Sequence, residues 1–157
     1  MAVEFARIDD RLLHGQVCTT WIRALNLEQC IVVNEKIAGD DFQRSLLDLA
    51  APQGMRVVYF SPQKFVEVAA SKPINRRTML LFNDPADVLY LVEHGYALQR
   101  LNVGGMKNNG EKRQIARAVA VSDAQAQTLR RIADAGVEVT IQMVPNDTKI
   151  TLAQALA

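Results

Sequence analysis

Near the amino terminus the chain concentrates reactive groups that are scattered elsewhere. Eight consecutive residues read Asp9-Asp10-Arg11-Leu12-Leu13-His14-Gly15-Gln16, preceded by Arg7-Ile8 and followed by Val17. An imidazole nitrogen is a nucleophile near neutral pH and can carry a phosphoryl group covalently. The Arg11 guanidinium can meet two phosphate oxygens at once. Gly15 tolerates positive φ and lets the backbone approach an anion closely. Asp9 and Asp10 can orient the imidazole or hold Arg11 by pairing with it. Residue types alone therefore support an anion site, with or without covalent chemistry at His14. They equally support a structural ion-pair network in a turn.

The elements around this stretch narrow the choice. Val3–Ile8 is an apolar run of strand length, whereas Val17, Trp21, Ala24 and Leu25 recur at helical spacing. The cluster thus opens a helix, where unpaired N–H groups and a partial positive charge favour anions. The same rhythm continues along the chain. Further strand-like runs are Cys30–Val33, Met55–Phe60, Thr78–Phe82, Leu101–Val103, Ala116–Val121 and Val137–Val144. Between them Asp40 or Asp41 starts a helix carrying Phe42, Leu46, Leu47 and Leu49, and Ser61-Pro62, Asp84-Pro85 and Ser122 start others. Gly95 and Gly136 end two of these helices. The stretch 104–116 gives no clear period.

Buried, non-alternating strands joined by helices predict an open, doubly wound α/β domain. Its mainly parallel sheet would have about seven strands with helices on both faces, as one domain over residues 1–157 without linker or repeat. An eight-fold barrel needs about 250 residues. In such a sheet, ligands bind beyond the carboxyl ends of strands. The loops Asp9–Gln16 and Gly104–Gly110 are the places to look.

Composition sets outer limits. With 49 % apolar and 22 % charged residues among 157, the chain is globular in type. Eighteen Lys and Arg against seventeen Asp and Glu argue against a nucleic-acid or membrane-surface protein, while leaving room for a local Arg cluster. Nothing approaches the ~20 apolar residues of a membrane span. The opening, with Glu4 in fourth place, is not a signal peptide. The expectation is a cytoplasmic protein whose membrane role, if any, runs through a partner. Cys18 and Cys30 read as small buried side chains in a reducing compartment, with neither metal nor disulfide. His94, before Gly95, reads as a helix-end cap, and Trp21 as packing on a helix face. Gly104-Gly105 is no dinucleotide fingerprint. Arg76-Arg77, Lys112-Arg113 and Arg130-Arg131 read as solvated.

The run from Arg7 to Val17, with Trp21 following, resembles the active-site loop of the mannose/fructose/sorbose-family IIB components of the phosphoenolpyruvate-dependent sugar phosphotransferase system. Asn102-Val103-Gly104-Gly105-Met106, followed by Gly110, Lys112, Gln114 and Ile115, resembles that family's later Asn-Val-Gly loop, and the stretch from Gly136 to Pro145 also fits. The resemblance covers essentially the whole chain. It implies that His14, through Nδ1, accepts phosphate from a phosphohistidine on a partner IIA and passes it to a sugar entering through a IIC/IID permease. Arg11 would then hold the phosphoryl oxygens, backbone around Gly15 and Gln16 would complete the cradle, and Asp9 or Asp10 would steady the loop. No metal or organic cofactor is implied, and a homodimer is. Two departures concern partner and sugar: Asn83-Asp84-Pro85 where relatives often carry a cation before Thr-Pro, and Gly105 where many carry Asn. The rival reading is a phosphate- or nucleotide-binding regulatory module of the same fold that does no covalent chemistry. The sugar is not legible.

Overall fold

The computed structural model describes residues 3–157. Six of its strands line up in parallel as β3(Arg56–Phe60), β2(Gln29–Val33), β4(Thr78–Phe82), β1(Val3–Asp9), β5(Arg100–Gly105) and β8(Glu138–Ile141). A short antiparallel strand, β9(Ile150–Thr151), closes the far edge. The expected open, doubly wound α/β architecture is the one observed.

The non-alternating sequence of the central strands follows from burial on both faces. Along β4, Met79 and Leu81 enter one core with Cys18, Ile22 and Cys30, whereas Leu80 and Phe82 enter the other with Ile8, Leu129 and Ile132. The first core lies beneath α1(Gly15–Leu25), α2(Glu35–Ala38) and α3(Asp41–Ala50). The second lies beneath α4(Pro62–Ser71), α5(Pro85–Glu93), α6(Asp123–Asp134) and α7(Leu152–Leu156). The chain leaves β1 toward the first layer and, after β5, enters α6 in the second. That divergence opens a crevice at the carboxyl ends of β1 and β5.

Helix starts follow their local chemistry. The Asp40 carboxylate accepts from the Phe42 and Gln43 N–H groups, Ser61 from Lys64, and Asp84 from Ala86; Ser122 and Gln125 form a reciprocal capping box. Gly95 and Gly136 take φ of +93° and +101° just past α5 and α6.

Four expectations need correction. The run Ala116–Val121 is not a strand of the main sheet. It breaks at Arg117-Ala118 into a hairpin of β6(Arg113–Ala116) and β7(Val119–Val121), whose turn is held by Gln114 Nε2 donating to the Ala116 and Arg117 carbonyls. Val137–Val144 narrows to Glu138–Ile141, and past it the chain bends into a turn in which the Gln142 side-chain Nε2 donates to the Pro145 and Asp147 carbonyls. The buried stripe of α1 runs through Cys18, Trp21 and Ile22, not Val17 and Ala24. In α3 only Leu47 of the four apolar residues packs inward; Phe42, Leu46 and Leu49 point to solvent. The short α2, α7 and β9 had no signal in the apolar pattern.

One helix start carries a pH signature. Asp87, half-buried in α5, has its carboxyl pushed up to about 6, by burial first and by Asp84 and Glu35 after it. A carboxyl that holds its proton more tightly folded than unfolded loses stability as pH rises from about 4 to about 6, and the loss is complete above that window. Asp87→Asn should raise Tm near neutral pH and leave it nearly unchanged at about pH 3.5. Equal shifts in thermal melts at both pH values would contradict this.

Candidate active site

The crevice holds a chain of buried polar contacts that begins inside the sheet. Arg7 lies on β1 between Ala6 and Ile8, only 1 % exposed, and pairs in register with Asn102 of β5. Its Nη1 donates to Asn102 Oδ1 at 2.7 Å and to the Gln142 carbonyl at 3.3 Å, and its Nη2 donates to Asp9 Oδ2 at 3.1 Å. Asn102 Nδ2 also donates to the Gln142 carbonyl, at 3.0 Å. Trp21 closes one side, with the Arg7 Cζ 5.7 Å from its ring centroid, Phe5 stacked on it at 4.4 Å, and its indole N–H bonded to the Met143 carbonyl. Burial pushes the Arg7 guanidinium below its ordinary value, and the Asp9 charge and hydrogen bond oppose that shift. Such a cation is tolerable inside a sheet only because it is paired.

Asp9 carries the chain to the loop. Its Oδ1 accepts the Arg11 backbone N–H at 3.0 Å. Its Oδ2 receives Arg7 and, at 2.9 Å, Nε2 of His14. A carboxylate only accepts, so Nε2 carries a proton, and in the neutral ring Nδ1 keeps a lone pair. Nδ1 has no hydrogen-bond partner among the described residues. The His14 side chain is 18 % exposed and lines a cleft of about 410 Å³ together with Asp9, Asp10, Arg11, Gly105 and Lys107.

The two carboxylates have different tasks. Asp9 holds the ring, whereas Asp10 ties the two loops together. Asp10 Oδ2 accepts from the Lys107 N–H at 2.7 Å, and the Asp10 N–H donates to the Gly105 carbonyl at 3.0 Å. Arg11 sits exposed at the cleft, its guanidinium without a hydrogen bond or ion pair to another described residue. Gln16 is exposed in the first turn of α1. Gly15 has φ +43°, and a Cβ there would meet nothing within 4 Å. Its requirement for glycine is therefore conformational, not a collision with neighbouring protein. Beneath the loop, Leu12 adopts φ +56°, Cys18 Sγ donates to the Leu12 carbonyl, and the His14 N–H donates to Cys18 Sγ. Both cysteines are buried and free.

The second loop is glycine-rich for steric reasons. A Cβ on Gly104 would lie 1.9 Å from Arg7 Cζ, and one on Gly105 would lie 3.3 Å from Asp9 Oδ1. The Asn-Val-Gly-Gly stretch thus supplies a partner to Arg7 and the room it occupies.

A family model of the PTS system sorbose subfamily IIB component matches residues 3–157. The chain belongs to this family. This IIB component is 36 % identical to the sorbose-specific EIIB component of Klebsiella pneumoniae over 153 residues, 97 % of this chain and 93 % of that one. The mannose-specific EIIAB component of Escherichia coli is also 36 % identical over 153 residues, but those cover only 47 % of its length. The crystal structure of the IIBSor domain of the Klebsiella pneumoniae sorbose permease superposes with a TM-score of 0.91 at 35 % identity, covering 99 % and 96 % of the two chains.

The remaining sequence candidates lie outside the cleft. His94 is the C-cap of α5, with Nδ1 2.8 Å from the Tyr90 carbonyl and its ring stacked on Tyr90. Asn83 accepts from Asn34 Nδ2, and Asp84 caps α5. Arg77 is not merely solvated, since it holds the Leu25 and Asn26 carbonyls at the end of α1, and Arg131 pairs with Glu93 at 2.6 Å. No helix among the described residues is long and apolar enough to cross a membrane.

Proposed function

We propose that this IIB component is a cytoplasmic phosphocarrier that accepts a phosphoryl group on His14 Nδ1 and hands it to a sugar. The observation carrying this reading is the bond from His14 Nε2 to Asp9, which leaves Nδ1 without a partner among the described residues, on a side chain that lines the cleft. In the first step Nδ1 attacks the phosphorus of a phosphohistidine on IIA. The donor P–N bond breaks, and its electron pair returns to the IIA imidazole. In the second step a sugar hydroxyl attacks that phosphorus, the P–Nδ1 bond breaks, and the hydroxyl proton passes to solvent or to the released imidazole. His14 gains positive character while it carries phosphate, and the Asp9 carboxylate balances it.

Such transfers depend on positioning and charge stabilisation. Asp9, fixed by Arg7, orients the ring, and Asp10 fixes the loop against the Lys107 amide. Arg11 is the cation available for the phosphoryl oxygens, and the backbone at Gly15 and Gln16 opens the helix toward them. No metal or organic cofactor enters this scheme. The partners are a phosphorylated IIA, the membrane IIC/IID permease and a second copy of the chain. That the mannose-specific relative is an EIIAB component supports a close working relation with IIA.

The test is incubation with phosphoenolpyruvate, the general phosphotransferase proteins and the cognate IIA. Covalent phosphate should appear at one per chain, whereas a non-covalent anion-binding module would take up none. Three variants at two positions grade the cradle. Arg11→Ala should slow acceptance on the order of 10²-fold, the scale of one lost transition-state contact, with Arg11→Lys between it and wild type. Gly15→Val, strained at φ +43°, should keep the fold with some loss of stability yet slow acceptance by at least ~10-fold, about 1.4 kcal/mol of barrier. Rapid-quench rates equal to wild type in folded variants would remove either residue from the cradle.

A further inference from the structure

The helix α3 leaves an apolar stripe that the protein itself does not cover. None of its ten residues is buried. It is held to the sheet by Leu47, which packs against the core beside Val57 and Tyr59, and by the Tyr59 hydroxyl, which donates to the Arg44 carbonyl and to Asp48. On the opposite side Phe42, Leu46 and Leu49, at i, i+4 and i+7, are 72 %, 50 % and 84 % exposed. Single exposed apolar residues are ordinary, but an aligned stripe on a helix marks a contact surface.

The stripe has a charged frame of one dominant sign. From residue 35 to residue 48 the chain carries Glu35, Asp40, Asp41 and Asp48 against Lys36 and Arg44. Arg44 and Asp41 are paired with each other, so the stretch keeps a net charge of −2. An acidic frame disfavours an anionic lipid surface and a second copy of the same acidic helix, and it favours a cationic apolar segment. Cytoplasmic segments of membrane proteins are rich in Lys and Arg for reasons of topology. The position also fits. Helix α3 lies over the edge strand β3, three strand positions from β1, and none of its residues lines the His14 cleft.

We propose that the α3 stripe docks a cationic, apolar cytoplasmic segment of the membrane permease. This inference rests on the phosphocarrier reading for the existence of a permease partner. His14 must face a donor and then an acceptor, so an anchor away from the cleft lets the chain stay near the permease while His14 is recharged.

The test measures binding of the full chain to cognate IIC/IID in zwitterionic nanodiscs, with empty anionic nanodiscs as control. Leu46→Glu/Leu49→Glu changes only exposed positions and should fold, which circular dichroism checks. Wild type should bind the permease discs, weaken with added salt, and lose at least about tenfold in affinity in the double variant. IIA-dependent phosphorylation of that variant should equal wild type. Unchanged binding of the double variant would overturn the proposal, as would failure of wild type to bind. Stripe-dependent binding to empty anionic discs would assign the stripe to lipid instead. A wild-type dimer mass lost in the variant would assign it to self-association. Stripe-dependent permease binding by a chain that never takes up phosphate would instead defeat the phosphocarrier reading and leave the docking surface standing.

Discussion

IIA-dependent labelling is expected to vanish in His14→Ala and to persist at one phosphate per chain in His94→Ala. The chain has only these two histidines, so the pair of variants divides the possibilities cleanly. His14 precedes the amino end of α1, where helix N–H groups and Arg11 can neutralise an incoming phosphoryl group. His94 caps the carboxyl end of α5, whose partial negative charge repels phosphate, and its Nδ1 is occupied by the Tyr90 carbonyl. Because His14 lies in a surface loop, its loss should leave the fold intact, and circular dichroism must show this for a silent variant to count. Label surviving in the folded His14→Ala chain would place the phosphate on another side chain and overturn the assignment of His14; absence of label in the wild type would leave non-covalent anion binding as the better reading.

The second large effect is expected from adding one methyl group, in Gly104→Ala. That Cβ would fall 1.9 to 2.2 Å from three atoms of the Arg7 guanidinium, far inside van der Waals contact. Arg7 has no simple retreat, since Asn102, the Gln142 carbonyl and Asp9 hold it from three directions. Either β5 shifts or the guanidinium leaves, and the second outcome strands the Asp9 carboxylate in a buried site. Breaking a buried pair in this way costs about 3–5 kcal/mol. Chemical denaturation should register a loss of that order. The folded fraction should accept phosphate at least ~10-fold more slowly, because His14 would lose its oriented carboxylate. Stability and rate both at the wild-type level would mean that Arg7 neither positions Asp9 nor depends on Gly104.

The loop chemistry was legible in the sequence because its residues are contiguous: His14, Asp9, Asp10 and Arg11 needed no folding to be seen together. The support behind them was not, because it spans β1, β5 and the segment after β8. Arg7 stood inside the recognised run without a role of its own, yet a charge between Ala6 and Ile8 on a buried strand is itself a signal, since it demands a partner. Asn102, between Leu101 and Val103, is the same signal on the neighbouring strand, and register brings the two together. Gly104 reads from sequence only as a glycine that fits no nucleotide motif; its reason is a side chain ninety-seven positions earlier. The hairpin β6–β7 escaped because an apolar run of strand length carries no information about which sheet it joins. The outward face of α3 escaped because apolar periodicity gives the stripe of a helix but not which partner covers it.

The bond from His14 Nε2 to Asp9 makes a claim about one atom, and heteronuclear NMR of the ¹⁵N-labelled chain, phosphorylated through IIA, reads that atom directly. The account predicts a single phosphorus coupled to Nδ1 of His14, lost in acid and retained in alkali. Phosphorus on Nε2, or an acid-stable phosphate on any other side chain, would contradict it.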